Sequence, residues 1–110
     1  MLTTTYTTAQ VITLKLASGE EIIGYYAKED MGSITLRKPV VPVPTNDGAS
    51  VGLAPYIMSS NYLHESGGEL NFNKQAIITT TPTNKAFADV YVQQVSGIDV
   101  RQNNRPGLIT

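Results

Sequence analysis

The stretch VITLKLASGEEIIGYYAKEDMGSITL, residues 11–36, decides the predicted fold. At its start Ile12, Leu14 and Leu16 fall on one face of an extended chain, and the residues between them fall on the other. Because successive side chains of a β-strand point to opposite sides, this alternation predicts a half-buried strand. The strand ends at a turn around Gly19, where glycine can adopt a positive φ.

A second strand follows over residues 21–29 and is expected to bend. Ile22 and Tyr26 share one face, and Gly24 lies between them on that face. A missing side chain at this point lets a strand bend sharply or lets another backbone approach closely. A second turn, residues 30–33, leads into a third strand. Three strands joined by tight turns, with a bend in the middle one, predict the beginning of a small barrel.

Prolines interrupt the chain beyond the third strand's start. Pro39, Pro42 and Pro44 each lack the backbone N–H that a ladder needs, so this strand is expected to become an edge or to leave the sheet near Pro39. Asn46-Asp47-Gly48 is typical of a hairpin turn, and a return strand is predicted over residues 51–58. The insert is therefore predicted to be an elongated hairpin that projects from the barrel.

A change of hydrophobic period follows the β-branched strand predicted at residues 76–81 and predicts a short C-terminal helix. The apolar residues at four-residue spacing are Phe87, Tyr91 and Val95. Thr83 or Asn84 can cap the helix N-terminus, and Ser96-Gly97 supplies the expected stop. A strand over residues 89–95 is the competing interpretation, and the helix is favoured.

Length and composition bound the class of protein. The chain has 110 residues, which suits one domain, and 41% of them are hydrophobic, which suits a modest core. Charged residues make up 15% with a net charge of −1, so no overall field attracts nucleic acid. Cysteine is absent, and no signal peptide or membrane-spanning run is recognisable. We expect a flexible arm at residues 1–9, one domain at 10–98 with an insert at about 37–68, and a flexible tail at 99–110.

Two segments resemble the signature motifs of the Sm-like family, which includes LSm proteins and the RNA chaperone Hfq. Gly19, Gly24 and Asp30 are spaced as in the first motif, with an apolar strand on each side. Residues 73–83 resemble the second motif of Hfq, with Lys74 at the position of the family's lysine.

Three further positions in that segment can be aligned with Hfq. Gln75 stands where Hfq has a histidine, and Ala76-Ile77 are identical. The whole pattern is most similar to the small Sm-like proteins encoded by marine cyanophages.

The resemblance implies a fold, an assembly and a location. The fold is mainly β, a strongly bent Sm-like (SH3-like) barrel of about five strands, here with a hairpin insertion and the short C-terminal helix. Members of the family close a homo-oligomeric ring by pairing the fourth strand of one subunit with the fifth strand of the next. The expected location is the cytoplasm of a phage-infected bacterial host, with no membrane partner.

The resemblance also implies a site for single-stranded RNA, or for single-stranded DNA, in phage nucleic-acid processing. The family's aspartate buttresses its loop and the RNA site, which assigns that role to Asp30. The lysine can neutralise a phosphate, and the glutamine can bind a base edge. The candidate nucleic-acid-binding residues are Asp30, Met31, Gly32, Ser33, Asn73, Lys74 and Gln75.

Catalytic and metal-binding patterns are missing from the sequence. His64 stands alone in a polar loop predicted at residues 59–68, where solvent exposure is expected. The carboxylate pairs Glu20-Glu21 and Glu29-Asp30 flank turns, where acidic residues normally face water. Catalysis needs a nucleophile with a base, paired carboxylates or a metal cluster. We therefore expect no enzyme activity, no catalytic residue, no metal and no cofactor.

A second function, from a different class, stays open at this point. The chain could be a structural or assembly protein that retains the ring without a nucleic-acid site. Sparse basic charge, the long insert and the loop after Asp30, which ends in Ser33 where Sm proteins usually have asparagine, favour that alternative.

Overall fold

The predicted meander opens the structure, and a helix closes it. The computed structural model describes residues 6–45, 51–65 and 67–103. Its strands are β1 Val11–Leu16, β2 Glu21–Glu29, β3 Ser33–Pro44, β4 Val51–Pro55, β5 Glu69–Asn73 and β6 Ile77–Pro82, and the helix α1 is Lys85–Asn103. Single 3₁₀ turns lie at Tyr62–His64 and Lys74–Ala76.

All six strands belong to one antiparallel sheet in the order β4-β3-β2-β1-β6, with β5 also paired to β3. The first half of β3 pairs with β5, from Ser33 opposite Asn73 to Arg37 opposite Glu69. The second half pairs with β4, which is the predicted hairpin insertion. The hairpin turn predicted at residues 46–48 lies outside the described residues. The fold is mainly β with a C-terminal helix, as predicted, and β4 adds a strand to the expected five or so.

The bend of β2 depends on Gly24. An added Cβ at this residue would lie 3.1 Å from the Leu36 Cβ and 3.2 Å from the Pro39 Cα, so the missing side chain allows β3 to cross β2 closely. The pairing of β2 with β3 shifts register between Ile23 and Tyr25, at the same point. Gly19 in the first turn has a φ of +104°, which confirms the predicted turn.

Strand β3 continues through its prolines, so it does not leave the sheet near Pro39. The β3–β4 ladder pairs Pro42 with Leu53 and Pro44 with Val51. In an antiparallel ladder only alternate residues point their N–H and C=O groups at the partner strand. Because proline has no N–H to donate, Pro42 and Pro44 occupy the alternate positions whose backbone groups point away from β4, so neither removes a donor that β4 needs. Beyond Val40 no described strand pairs with the β2 side of β3. This half of β3 is therefore an edge on that side, which is the first of the two alternatives predicted from the prolines.

Two hydrophobic clusters stabilise the sheet. The first fills the inside of the bend and consists of Ile12, Leu14, Leu16, Ile22, Tyr26, Ile34, Leu36 and Phe72. The second lies between the sheet and α1 and consists of Ile23, Val40, Tyr62, Leu63, Tyr91 and Val95. The residues of β1 between the buried ones are half-buried, which confirms the alternation predicted for this strand.

The loop predicted to be polar contributes to the second cluster. Tyr62 and Leu63 in it are 4% and 7% exposed. The Tyr62 hydroxyl donates a hydrogen bond to the Pro39 carbonyl, and His64 beside it is exposed, as predicted. Because the loop is otherwise polar, its sequence did not indicate that Tyr62 packs in the core and bonds the loop to β3.

The C-terminal helix is present, and the competing strand interpretation of residues 89–95 is wrong. The Asn84 Oδ1 atom accepts a hydrogen bond of 2.9 Å from the Phe87 N–H, so Asn84 caps the helix. The predicted stop at Ser96-Gly97 is wrong, because α1 continues to Asn103 into the segment expected to be a tail. An interior glycine costs a helix only about 1 kcal/mol relative to alanine, which does not force an end.

The described part of the N-terminal arm lies against the barrel. The Ala9 N–H donates to the Tyr26 carbonyl at 2.8 Å, and the Tyr26 N–H donates to the Gln10 carbonyl at 2.8 Å. Tyr6 packs on Tyr26 with 5.6 Å between ring centroids, and its hydroxyl lies 2.8 Å from the Thr80 Oγ1 atom. Residues 1–5 lie outside the described part of the chain. Among the described residues, no helix is both long and apolar enough to cross a membrane.

Candidate nucleic-acid interface

The two segments singled out in the sequence meet at one end of the sheet. Strand pairing places Ser33 opposite Asn73, and the Lys74 N–H donates a 2.9 Å hydrogen bond to the Gly32 carbonyl. The β3–β5 pairing therefore brings the loop at residues 30–33 beside the turn at residues 73–75. We call these seven residues together the loop face.

Asp30 holds the first loop of this face in shape. Its Oδ1 atom accepts hydrogen bonds from the Gly32 N–H at 2.8 Å, the Ser33 N–H at 2.9 Å and the Ser33 hydroxyl at 3.2 Å. These bonds favour the charged form and hold the pKa of Asp30 below its usual value, with the Gly32 bond the largest cause. These three bonds lie within the loop that Asp30 is expected to buttress.

Asn73 shapes the second turn in the same way. Its Oδ1 atom accepts a 2.8 Å hydrogen bond from the Gln75 N–H and so caps the 3₁₀ turn at residues 74–76. The Gln75 side chain is exposed, and Met31 across the face is 90% exposed. The loop face therefore presents the amide of Gln75 and the apolar side chain of Met31 to solvent, beside the exposed Asn73.

Lys74 has a partner that the sequence did not predict. Its Nζ atom lies 2.7 Å from the Glu29 Oε2 atom, and the two side chains are only 24% and 12% exposed. The Tyr26 hydroxyl donates to the other carboxylate oxygen, Oε1, at 3.0 Å. Lys74 is thus held between the barrel core and Glu29 rather than extended into solvent.

The irregular pairing of β2 explains why this ion pair was missed. Strict alternation places Tyr26 and Glu29 on opposite faces, because they are three residues apart. The register of β2 against β3 shifts between Tyr26 and Lys28, which brings the two side chains together. No pattern in the sequence signals this bulge, so the Glu29–Lys74 pair was not predictable from it.

The electrostatic character of the loop face follows from three groups. One ammonium, that of Lys74, faces the two carboxylates of Glu29 and Asp30. The face is therefore not electropositive in a single chain. Contacts to uncharged base edges and sugars suit it better than contacts to phosphate alone.

A row of polar side chains continues from the loop face along β3 and β5. The Asn71 Nδ2 atom donates to the Ser33 hydroxyl at 3.0 Å and to the Thr35 Oγ1 atom at 2.7 Å. Asn71 was not among the predicted site residues. Its position directly across the ladder from Thr35 is the signal that would have identified it, once the β3–β5 register was known.

A search for metal ligands gives no group in the described residues. No three histidine, cysteine, aspartate or glutamate side chains in residues 6–45, 51–65 and 67–103 lie close enough to hold a metal ion. The loop face and its surroundings can form hydrogen bonds through amides and hydroxyls, beside the ion pair of Lys74 with Glu29.

The fold places this chain among the mainly β proteins, with a bent antiparallel sheet of six strands and a C-terminal helix. The chain matches no protein-family model and no curated protein. Its structure is similar to the crystal structure of a heptameric archaeal Sm protein, with a TM-score of 0.46 and 14% sequence identity. The similarity covers 70% of this chain and 90% of the archaeal chain.

Proposed function

We propose that this protein is an Sm-like ring protein that binds single-stranded RNA, or single-stranded DNA, on the loop face and performs no catalysis. The observation that carries the proposal is the hydrogen bond from the Lys74 N–H to the Gly32 carbonyl, because it joins the two motif-bearing segments into one surface. A role in nucleic-acid processing in the cytoplasm of a phage-infected bacterium is the setting that the sequence resemblance implies.

The proposed ring uses two of the strand edges that the sheet leaves open, those of β5 and β6. Among the described strands, β5 pairs only with β3, and β6 pairs only with β1. Unpaired edges are prone to add another strand, and closed cyclic assemblies remove them. With the inserted β4 set aside, β5 and β6 are the fourth and fifth strands of the barrel. These are the strands that pair between subunits in the Sm-like family.

Repetition around a ring would compensate for a weak single site. Each subunit presents Gln75, an exposed amide that can bind a base edge, and Met31, an apolar surface on which a base can rest. Contacts made by neighbouring subunits with one strand add through effective concentration. A phosphate must compete with Glu29 for Lys74, so the salt dependence of binding depends on both residues.

Three variants test this chemistry with oligonucleotides of uridine, adenosine and deoxythymidine. Lys74→Ala should weaken binding, whereas Glu29→Gln should strengthen it, because it leaves the ammonium available to phosphate. For single strands the slope of log K against log salt changes by about 0.7 for each phosphate contact. We therefore expect a shallower slope for Lys74→Ala and a steeper one for Glu29→Gln. Lys28→Ala, which removes an exposed lysine of the same strand, is the matched control and should change neither slope nor affinity.

Gln75→Ala separates base recognition from charge. An uncharged amide does not neutralise phosphate, so this variant should alter the preference among the three oligonucleotides and leave the salt slope unchanged. If Lys74→Ala and Gln75→Ala both bind as the parent protein does, nucleic acid does not use the loop face.

The ion pair itself favours a second candidate function. A structural or assembly protein would retain the ring and need no positive surface, and the carboxylates of Asp30 and of the adjoining Glu29 outnumber the one ammonium of the loop face, that of Lys74. The parent protein would then form the oligomer and bind none of the three oligonucleotides at low salt. If the Glu29→Gln protein also binds none of the oligonucleotides, the structural or assembly function is the correct one.

A further inference from the structure

A groove lies at the Glu21 end of β2, where β3 diverges from β2, and the loop face follows the other end of the same strand. Its volume is about 550 Å³, within the range of roughly 300–1,000 Å³ that is typical of ligand sites. Its lining residues are Gly19, Glu20 and Glu21 on one side, Val41, Pro42, Val43 and Pro44 on the other, and Phe87 of α1.

Several hydrogen-bond acceptors line this groove. The alternation of the β3–β4 ladder points the carbonyls of Pro42 and Pro44 away from β4 and toward the groove, and proline has no N–H to accompany them. Glu20 and Glu21 add two exposed carboxylates on the opposite rim. A surface of acceptors over an apolar floor suits a segment with a cationic donor and apolar neighbours.

The nearby charges leave the rim negative. The Lys15 Nζ atom lies 3.9 Å from the Glu21 Oε2 atom, a loose ion pair, and donates to the Gly19 carbonyl at 2.9 Å. The Glu20 Oε1 atom accepts a bond of 2.7 Å from the Ser18 hydroxyl. Phe87 is the aromatic residue of the lining, and a guanidinium that lay over its ring would gain a cation–π attraction.

We infer that this groove binds the segment at residues 104–110 of another copy of the chain. This segment reads Asn-Arg-Pro-Gly-Leu-Ile-Thr, with Arg105 as its one charged residue and Leu108 and Ile109 as apolar neighbours. The arginine meets the carboxylates, and the apolar residues lie over Val41 and Val43. The inference does not rest on nucleic-acid binding.

The length of α1 separates Arg105 from Phe87, the residue of the helix that lines the groove. Asn103 lies about 24 Å along the helix from Phe87, at about 1.5 Å per residue. Two further residues reach back at most about 7 Å. With α1 intact, the backbone of Arg105 can therefore come no closer than roughly 17 Å to Phe87 of its own chain, and we assign the groove that it enters to a second copy.

Disulfide cross-linking tests this arrangement cleanly, because the chain has no cysteine. Full-length Val43→Cys protein is mixed with full-length Leu108→Cys protein that carries a size tag, and mixed disulfides are separated on a non-reducing gel. Val43 is 38% exposed in the groove, and Met58, 78% exposed and outside the groove lining, provides the matched control as Met58→Cys. We expect the mixed disulfide to form with Val43→Cys at least about tenfold faster than with Met58→Cys, as docking worth about 1.4 kcal/mol would produce.

Charge variants of the same pair test the assigned contact. Glu20→Gln with Glu21→Gln in the Val43→Cys protein, or Arg105→Ala in the Leu108→Cys protein, should remove most of that preference, whereas Arg105→Lys should retain more of it. Equal rates for Val43→Cys and Met58→Cys would overturn the inference. So would a preference that the glutamine variants leave unchanged, since the carboxylates would then have no role. A disulfide confined to one chain in a Val43→Cys/Leu108→Cys double variant would overturn the assignment to a second copy.

Discussion

The corner at Lys38 shows at the residue scale how β3 changes partner without leaving buried polar groups unsatisfied. Lys38 has a φ of +54°, in the left-handed region that non-glycine residues rarely adopt. Its N–H donates to the Gly68 carbonyl at 2.8 Å, and its buried ammonium donates to the Leu63 carbonyl at 2.8 Å. The Tyr91 hydroxyl donates to the Lys38 carbonyl at 2.7 Å. Several elements together therefore hold a backbone conformation that the strand alone would not adopt.

Tyr91→Phe tests the contribution of the hydroxyl to this corner. Burial raises the pKa of Tyr91, so the hydroxyl stays a protonated donor, and its bonds reach the carbonyls of both Lys38 and Arg37. Removing it leaves a buried carbonyl with fewer donors, and we expect the free energy of unfolding to fall by about 1–3 kcal/mol. Urea denaturation measures this change. Tyr6→Phe, which removes a half-buried hydroxyl bonded to Thr80, is the control and should cost less. A Tyr91→Phe protein as stable as the parent would remove the hydroxyl from this account.

Asp30 provides a pH-dependent test of the loop face. Its pKa is lowered in the folded protein by the bonds from Gly32 and Ser33, so the charged form contributes stability above the unfolded pKa. That contribution is lost as the pH falls through the lower, folded pKa. Asp30→Asn mimics the neutral acid, so it should unfold at a lower temperature than the parent at pH 7, with a difference that shrinks below about pH 4. Scanning calorimetry at several pH values, with Glu65→Gln as an exposed-carboxylate control, measures it. A difference that stays constant with pH would contradict the role of the charge.

At the scale of elements, the bend of β2 depends on one missing methyl group. Gly24→Ala would place a Cβ 3.1 Å from the Leu36 Cβ and 3.2 Å from the Pro39 backbone, where the crossing strand has little room to move. We expect a loss of about 1–3 kcal/mol, as for other overpacked positions, measured by urea denaturation. Gly32→Ala is the matched control, since the nearest atom to its added Cβ, the Asp30 Oδ1, is 3.9 Å away. Equal effects of the two substitutions would show that the close crossing is not what requires glycine.

The elements that the sequence predicted are those with local signals. Alternation along β1 and a cap residue at Asn84 act within one segment, so the strand and the helix start could both be located without the structure. The path of β3 through Pro42 and Pro44 depends on whether the backbone groups of each residue point toward β4 or away from it. That direction is decided by the register with a strand that is distant in the sequence. The Glu29–Lys74 pair depends on a bulge in the same way. The two segments of the candidate site could therefore be named from the family resemblance, but the pairing of Lys74 with Glu29 could not be predicted.

At the scale of the whole molecule, two of the sheet's open edges, those of β5 and β6, have different surfaces. The Thr83 N–H donates to the Val11 carbonyl. By alternation along β6, the backbone N–H and C=O groups of Thr81 and Thr79 therefore point toward β1, and the backbone groups of Thr80 and Pro82 point away from it. The outer edge of β6 therefore presents the backbone of Thr80, with Ile78 66% exposed beside it. The same argument applies to β5, because the Lys74 N–H bonds to the Gly32 carbonyl and the Lys38 N–H bonds to the Gly68 carbonyl. The backbone groups of Asn71 and Asn73 therefore point away from β3, toward the outer edge of β5.

An exposed isoleucine beside an open edge predicts the outcome of an assembly experiment. Natural edge strands that must not pair often carry lysine, and β6, Ile77–Pro82, carries no charged residue. If β6 of one copy pairs with β5 of the next, light scattering should show a closed oligomer for the parent protein at micromolar concentration. Ile78→Lys should reduce it to smaller species while circular dichroism stays unchanged, because the side chain points into solvent in the single chain. Met58→Lys makes the same chemical change at a residue that is 78% exposed and outside both edges, and should leave the oligomer intact. A parent protein that is monomeric at this concentration would refute the ring, and an Ile78→Lys protein of unchanged mass would place the subunit contact elsewhere than at β6.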